Sequence, residues 1–298
     1  MREFLVIGEK YCFSRFDKKK LLSKKIKIRE INEMSFIANP SKFEKFTKEA
    51  ILNTENREVE NILKKRNFYY MTIEDFLETF FQKLYIPRWK NREEKINLDL
   101  QPFSKTTYFL KRVIDFSIAI PLAILTSPIM LYSIYRIKKE SPDGPIIFKQ
   151  KRVGKDGKEF VCYKFRSMRT NVDFFNHYTQ KDDPRIFKWG AFMRKTRIDE
   201  LPQLWNVIKG DLHLIGPRAE WNELVKKYEK EWDFYHLRHI NAPGITGWAQ
   251  VNYPYGSNLE DTYQKLMYDL YYIKNWNFWL EMKTIFKTIW VIVDGKGL

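Results

Sequence analysis

A run of about 25 apolar residues, 113–137, constrains this chain more than any other feature. As a straight helix it would be about 37 Å long, enough to cross a bilayer. Pro121 and the Ser127-Pro128 pair interrupt it. Proline removes a backbone donor and crowds the preceding turn, so it kinks a helix. The Ser127 hydroxyl can bond a carbonyl of the preceding turn and satisfy part of the broken ladder. Lys111 and Arg112 stand before the run, and Arg136, Lys138 and Lys139 after it. Charge at both ends fixes no orientation for a span, but it suits a helix whose two ends meet one leaflet. The expectation is a kinked, re-entrant helix broken at Ser127 and Pro128. A buried core helix is the competing reading, and the scarcity of polar residues weighs against it.

The sequence around this run reads as α/β. With 298 residues the chain has room for one large domain or two small ones. Residues 1–100 form a small α/β unit, with a strand at 4–8, helices over 51–63 and 72–84, and a strand at 68–71. No glycine-rich phosphate loop follows the first strand, so no nucleotide site is placed there. Residues 87–105 are a polar linker, and 106–298 make the second domain. Within it, 146–153 and 160–165 flank Gly154-Lys155-Asp156-Gly157, whose Asp-Gly pair signals a hairpin turn.

Residues 196–210 read as a helix. Thr196 or Asp199 caps it, Pro202 sits in its first turn and Gly210 ends it. Leu201, Leu204, Trp205 and Ile208 form its apolar face. Residues 268–293 read as an amphipathic helix bearing Trp276, Trp279, Phe286 and Trp290, suited to a membrane interface or to packing on a core. The polar loop 171–181 has the character of a lid.

The formal net charge of +16 calls for an anionic partner. Residues 149–197 carry about nine more basic than acidic side chains, so an anion site belongs there. Immediately after this block comes the pair Asp199-Glu200. Acidic residues at a helix start can be simple caps. Among arginines they can also bind a hard cation such as Mg²⁺ beside phosphate oxygens, or attack a phosphoryl group to give an acyl phosphate. Cys12 and Cys162 are far apart, fit neither a metal motif nor a disulfide framework, and suit a reducing compartment. The N-terminus lacks the pattern of a signal peptide. Four histidines carry no zinc motif.

Five segments occur in a fixed order: KRVIDFSIAIPLAILTSPIM, IIFKQKRVGKDGKEFVCYKFRSM, FMRKTRIDELPQLWNVIKGDLHLIGPR, PGITGWAQVN and YDLYYIKNW. Together they resemble the bacterial sugar transferase family, the monotopic polyprenyl-phosphate phosphoglycosyl transferases. The resemblance covers about 60% of the chain. It implies a membrane-associated α/β core with one re-entrant helix and interfacial amphipathic helices, at the cytoplasmic face of the bacterial inner membrane.

The implied reaction moves a sugar 1-phosphate from a UDP-sugar to undecaprenyl phosphate and releases UMP. By the same resemblance Asp199 is the nucleophile that carries the phosphosugar, and Mg²⁺ sits near Asp199 and Glu200. Lys164, Arg166, Arg194, Arg218 and Asp269 match positions expected around the substrate phosphates. A homodimer is compatible with the family. Ala219 stands where the family usually has proline. The first hundred residues do not look like the several membrane helices of larger members; a reduced Rossmann-like domain with a regulatory or docking role is the expectation there.

Two readings from other classes compete. A nucleic-acid-binding protein would explain the charge and the aromatics but leaves the apolar run unplaced, so no nucleic-acid partner is expected. A catalytically inactive membrane scaffold of the same family would have no use for the acidic pair. A polytopic transferase needs more apolar runs than one.

Overall fold

The computed structural model describes residues 1–88, 98, 100–172, 183–254, 256 and 258–293. Of the lid loop expected over 171–181, residues 173–181 lie outside the described set, as does most of the linker at 89–97 and 99. The chain divides into two compact units, centred on Met1–Pro87 and Asn97–Leu298.

The first unit is built on four parallel strands, β1 (Arg2–Ile7), β2 (Ile26–Ile31), β3 (Glu49–Leu52) and β4 (Tyr69–Thr72), in the order β2-β1-β3-β4. Phe4, Leu5, Val6 and Ile7 are all buried, as in a strand covered on both faces. Helix α1 (Arg15–Ser23) opens with a capping box: Ser14 Oγ accepts from Asp17 N, and Asp17 Oδ2 accepts from Ser14 N. Helix α2 (Arg57–Lys65) lays Val59 and Leu63, one turn apart, against Leu5, Ile7, Phe36 and Ala50.

The helix expected over 51–63 is therefore shorter at its start. Ala50, Ile51 and Leu52 pair with β1 instead, and Asn56 caps the helix through Glu58 N. The helix expected over 72–84 is α-helical only from Ile73 to Phe76. It widens into a π turn over Leu77–Phe81 and stops at Gln82, whose φ is 56°. Strand β2 was not anticipated, because Lys27, Arg29 and Glu30 make half of it charged.

In the second unit the apolar run forms helix α3 (Lys105–Glu140), 36 residues or about 54 Å. Ser104 caps it. The assigned helix passes through Pro121 and Pro128. Pro128 cannot donate to the carbonyl of Ile124, one turn back; Ser127 Oγ donates to that oxygen instead, at 2.8 Å. Among the described residues this is the one helix long and apolar enough to cross a membrane. It is buried only toward its ends: at Lys111, Asp115 and Ala119, and again at Ser133 and Ile137. Between them Ile124, Leu125 and Leu131 are exposed by 69%, 78% and 67%.

Both ends dock on the second unit. At the first, Lys111 Nζ donates to Ile215 O, Tyr272 Oη and Glu281 Oε1 at 2.7–2.9 Å. Asp115 accepts from Leu214 N at 2.8 Å and from the His213 ring at 2.6 Å. Burial holds that imidazole below its usual pKa, even with Asp115 beside it. At the other end Ile137 packs with Phe165, Phe187 and Met193.

The hairpin forms as expected, from β5 (Ile147–Val153) and β6 (Glu159–Phe165), with Asp156 and Gly157 at positive φ. Helices α4 (Lys188–Thr196) and α5 (Gln203–Lys209) follow, and then the parallel pair β7 (His213–Ile215) and β8 (Gly244–Thr246). The helix expected over 268–293 is two: α6 (Leu259–Lys274) and α7 (Phe278–Val293). Asn277 divides them by accepting from Leu280 N at 2.9 Å, the geometry of a new helix cap. Tyr268 and Tyr272 are buried on α6, while Trp279, Phe286 and Trp290 are exposed on α7.

Candidate active site

Asp199 and Glu200 lie in a single 3₁₀ turn, Ile198–Glu200, between α4 and α5. This corrects the expected single helix over 196–210. Thr196 is not a cap: it ends α4, with its hydroxyl donating back to Phe192 O at 2.8 Å. Arg197 then takes a φ of 60°, which stops a helix and is costly for a residue with a side chain. Helix α5 begins past Pro202. Its buried side is Gln203, Leu204, Asn206 and Val207, and Trp205 is exposed.

Asn206 explains why this side is buried and not the expected face of Leu201, Leu204, Trp205 and Ile208. Its Oδ1 accepts from Tyr163 N at 3.1 Å, and its Nδ2 donates to Val161 O at 2.8 Å. The side-chain amide thus pairs with β6 as a neighbouring strand would. The same strand carries Lys164, and the helix that carries Asn206 begins just after Glu200. At the end of α5, Arg112 of α3 donates to the carbonyls of Val207 and Ile208 at 2.7 and 3.1 Å. A cation on the last carbonyls of a helix satisfies open acceptors and complements the dipole.

With these elements fixed, Lys164 Nζ stands 2.6 Å from Glu200 Oε1. Arg218 lies 3.6 Å and Arg197 3.9 Å from the same oxygen. Burial alone would push the Glu200 carboxyl up; Lys164 and Arg218 outweigh it and hold Glu200 well below the usual carboxylate range. Asp199 has the opposite balance. Burial and the adjacent Glu200 raise its pKa, against the pull of Lys164, Arg194 and Arg197. Asp199 Oδ1 is buried and has no hydrogen-bond partner in the structure. A buried carboxylate oxygen left open is expensive, and such groups concentrate where a ligand completes them.

Arg218 follows β7 in the segment Gly216-Pro217-Arg218. The stretch 241–247, which contains β8, packs against that segment backbone to backbone. A Cβ on Gly244 would stand 2.1 Å from Gly216 N, and one on Gly247 2.1 Å from Gly216 O. Its glycines serve this close approach.

Two expected site residues are elsewhere. The Arg166 guanidinium is taken up by the carbonyls of Ser141, Gly144 and Pro145 and by the Ser141 hydroxyl, so it fastens the turn after α3. Asp269 accepts from Arg238 at 2.7 and 3.2 Å and is buried. A buried carboxylate committed to an arginine is a support and not a phosphate ligand. Arg197, Asn206 and Arg238 were missed as site residues. Only Arg197 had a signal, its place in the basic block.

An acidic pair ringed by cations, on an α/β body with one long exposed apolar helix, defines a membrane-associated protein with an anion-handling site. Residues 106–295 match the family described as bacterial sugar transferase, and the chain belongs to that family. It is 47% identical over 190 residues to a UDP-N-acetylgalactosamine-undecaprenyl-phosphate N-acetylgalactosaminephosphotransferase of Aeromonas hydrophila, covering 63% of this chain and 45% of that protein. It is 40% identical over 192 residues to a UDP-glucose:undecaprenyl-phosphate glucose-1-phosphate transferase of Escherichia coli, covering 63% and 41%. An uncharacterized sugar transferase of Bacillus subtilis is 39% identical over 189 residues, covering 63% of this chain and 90% of its own length. The chain thus matches less than half the length of the Aeromonas and Escherichia relatives.

Proposed function

We propose that this chain transfers a sugar 1-phosphate from a UDP-sugar to undecaprenyl phosphate, at the cytoplasmic face of the bacterial inner membrane. The observation that carries the reading is the open, buried Asp199 Oδ1 beside a Glu200 fixed in its ionised form. Paired carboxylates pushed to opposite protonation behaviour divide their labour. Asp199 is the basic, uncommitted oxygen and serves as nucleophile.

Asp199 Oδ1 attacks the β-phosphorus of the UDP-sugar. The bond from that phosphorus to the bridging oxygen breaks, and UMP leaves with the electron pair. The product is an acyl phosphate, the mixed anhydride of the Asp199 carboxyl and the sugar phosphate. A phosphate oxygen of undecaprenyl phosphate then attacks the same phosphorus. Asp199 leaves as a carboxylate, and the polyprenyl diphosphate sugar is released. Lys164, Arg194, Arg197 and Arg218 supply the positive charge that holds the phosphates and offsets the charge of each transition state.

The donor set also fits Mg²⁺. Among the described residues no cluster of three or more ligating side chains exists. Mg²⁺ needs only one or two carboxylates, with substrate phosphates and water completing its shell, and the ion pairs of Glu200 all fall on Oε1, leaving Oε2 for a cation. Asp199 and Glu200 would hold it, and bound there it would neutralise charge on the transferring phosphoryl group.

The docking of both ends of α3 on one unit supports the re-entrant reading, as do the two prolines and the Ser127 bond to the Ile124 carbonyl. The strand order of the first unit, which reverses direction at β1, supports a Rossmann-like assignment.

The test is UMP release from a panel of UDP-sugars, in detergent, with and without Mg²⁺ and undecaprenyl phosphate. Turnover that requires the lipid and disappears in Asp199→Asn is expected. Equal release from that variant would remove Asp199 as nucleophile.

A further inference from the structure

Among the described residues ion-paired with Glu200, Arg218 is the one that comes from the β7–β8 side of the unit, at the end of a short strand segment. A guanidinium on such a segment is aimed only as well as its backbone is held. The carbonyls of Arg218 and Ala219, consecutive along the chain, are each gripped by a different arginine. Arg238 Nη2 donates to Arg218 O at 2.9 Å, and Arg152 Nη1 donates to Ala219 O at 2.5 Å.

Each gripping arginine is itself fixed. Arg238 is 4% exposed; two of its nitrogens donate to Asp269 Oδ2 and a third to Tyr235 Oη, at 2.8 Å. Arg152 is tied to Gln150 Oε1 by two bonds of 3.0 and 3.2 Å, and Val153 N donates to Glu220 O in the next residue of the same segment. Upstream, Gly244 N donates to Pro217 O at 2.9 Å. Residues 217–220 thus have four consecutive carbonyls bonded from three separate parts of the chain. A buried cation survives desolvation only when paired, so Asp269 is what lets Arg238 hold a neutral carbonyl here.

We propose that Arg238, supported by Asp269, is a positioning residue. Together with Arg152 it fixes the backbone at Arg218 and so aims the Arg218 guanidinium at the substrate diphosphate. This rests on the functional reading above for the identity of the anion, though not for the geometry. Lysine at 238 keeps the charge and the pairing with Asp269, but its single nitrogen cannot hold Asp269, Tyr235 and Arg218 together in the arginine's fork geometry.

The experiment is a double-mutant cycle on the full chain in detergent, with inorganic diphosphate as probe and calorimetry as readout. The variants are Arg238→Lys, Arg218→Ala and the pair. Arg238→Lys is expected to weaken diphosphate binding roughly tenfold in the wild-type background and to cost nothing further once Arg218 is alanine. A merely structural role would weaken both backgrounds alike, so additive losses would overturn the proposal. Wild-type affinity in Arg238→Lys, or no diphosphate binding by the wild type, would overturn it as well. UMP release run in parallel judges the reaction separately. The expected cycle without any UMP release would leave the positioning role standing and reject the proposed reaction.

Discussion

Lys164 of the hairpin and Glu200 of the turn before α5 form an ion pair of 2.6 Å, with both side chains less than one-fifth exposed. The pair fastens β6 to the turn that carries Asp199, and it keeps Glu200 ionised in a buried place. Lys164→Met should therefore damage both stability and chemistry. A loss of about 3 kcal/mol is expected from thermal or denaturant unfolding in detergent. A fall in turnover of roughly a hundredfold or more is expected from UMP release. A variant as active as the wild type would show that the pair is only a fastening.

Asp199→Asn should abolish turnover without harming the fold. The pKa of Asp199 is raised by burial, so the native state holds its proton more tightly than the unfolded chain does. Between the ordinary carboxylate pKa of about 3.9 and the raised native value, stability then falls as pH rises. Above that window the ionised carboxylate is a standing cost, which asparagine removes. The variant should melt at or above the wild-type temperature at neutral pH, and the gain should vanish in acid. A clear loss of stability at pH 7 would contradict this electrostatic account.

The same shift predicts the acid limb of the rate profile. A nucleophilic carboxylate must be ionised, so kcat/KM should fall as pH drops through the raised pKa of free Asp199. Glu200, held low, should not contribute a limb in the same range. Measuring kcat/KM from pH 4 to 8 with a saturating lipid acceptor would test this; an acid limb no higher than about pH 4 would show that the Asp199 pKa is not raised in the working enzyme.

Lys111 and Glu281 form a second ion pair, of 2.7 Å, in which both side chains are fully buried. Tyr272 and Trp276 donate to the other Glu281 oxygen, Oε2. Lys111→Met would strand a buried acid and cost about 3–5 kcal/mol. The double variant Lys111→Met, Glu281→Leu should recover most of that loss, as apolar replacement of a buried pair often does. Unfolding by denaturant decides the matter, and a double variant no better than the single one would mean the pair holds α3 to α7 by more than charge balance.

Gly190 lies in the first turn of α4, where a Cβ would stand 2.2 Å from Ser167 O. The backbone carbonyl cannot step aside as a flexible side chain could. Gly190→Ala should cost about 1–3 kcal/mol by overpacking and lower activity through the displaced turn at Asp199. Unchanged melting would show that the contact with the segment after β6 is looser than the geometry implies.

Local patterns along the chain disclosed a good part of this architecture. Asp156-Gly157 marked the hairpin because only residues tolerant of positive φ make that turn. Asp199-Glu200 stood out as acids beside a basic block. The boundaries around that pair were not legible. Residues 196–210 read as one helix, and nothing local shows that Arg197 adopts a left-handed conformation. That conformation is imposed by the contacts of α4 and α5 on either side. Arg166 and Asp269 illustrate the same limit. Each sits in a recognisable motif, but whether a side chain meets phosphate or a protein partner depends on residues 25 and 31 positions away.

By itself the sequence determined the long apolar helix, its prolines, the hairpin, the family and the acidic pair. These follow from composition, short-range periodicity and ordered motifs, all of which a linear chain displays. Tertiary structure alone decided that Lys164, Arg218 and Glu200 converge, that Asp199 keeps an open oxygen, and that Arg238 and Arg152 hold the backbone beside Arg218. Those facts arise from burial and from hydrogen bonds between distant segments. Their energies depend on what surrounds each charge, which no stretch of sequence contains.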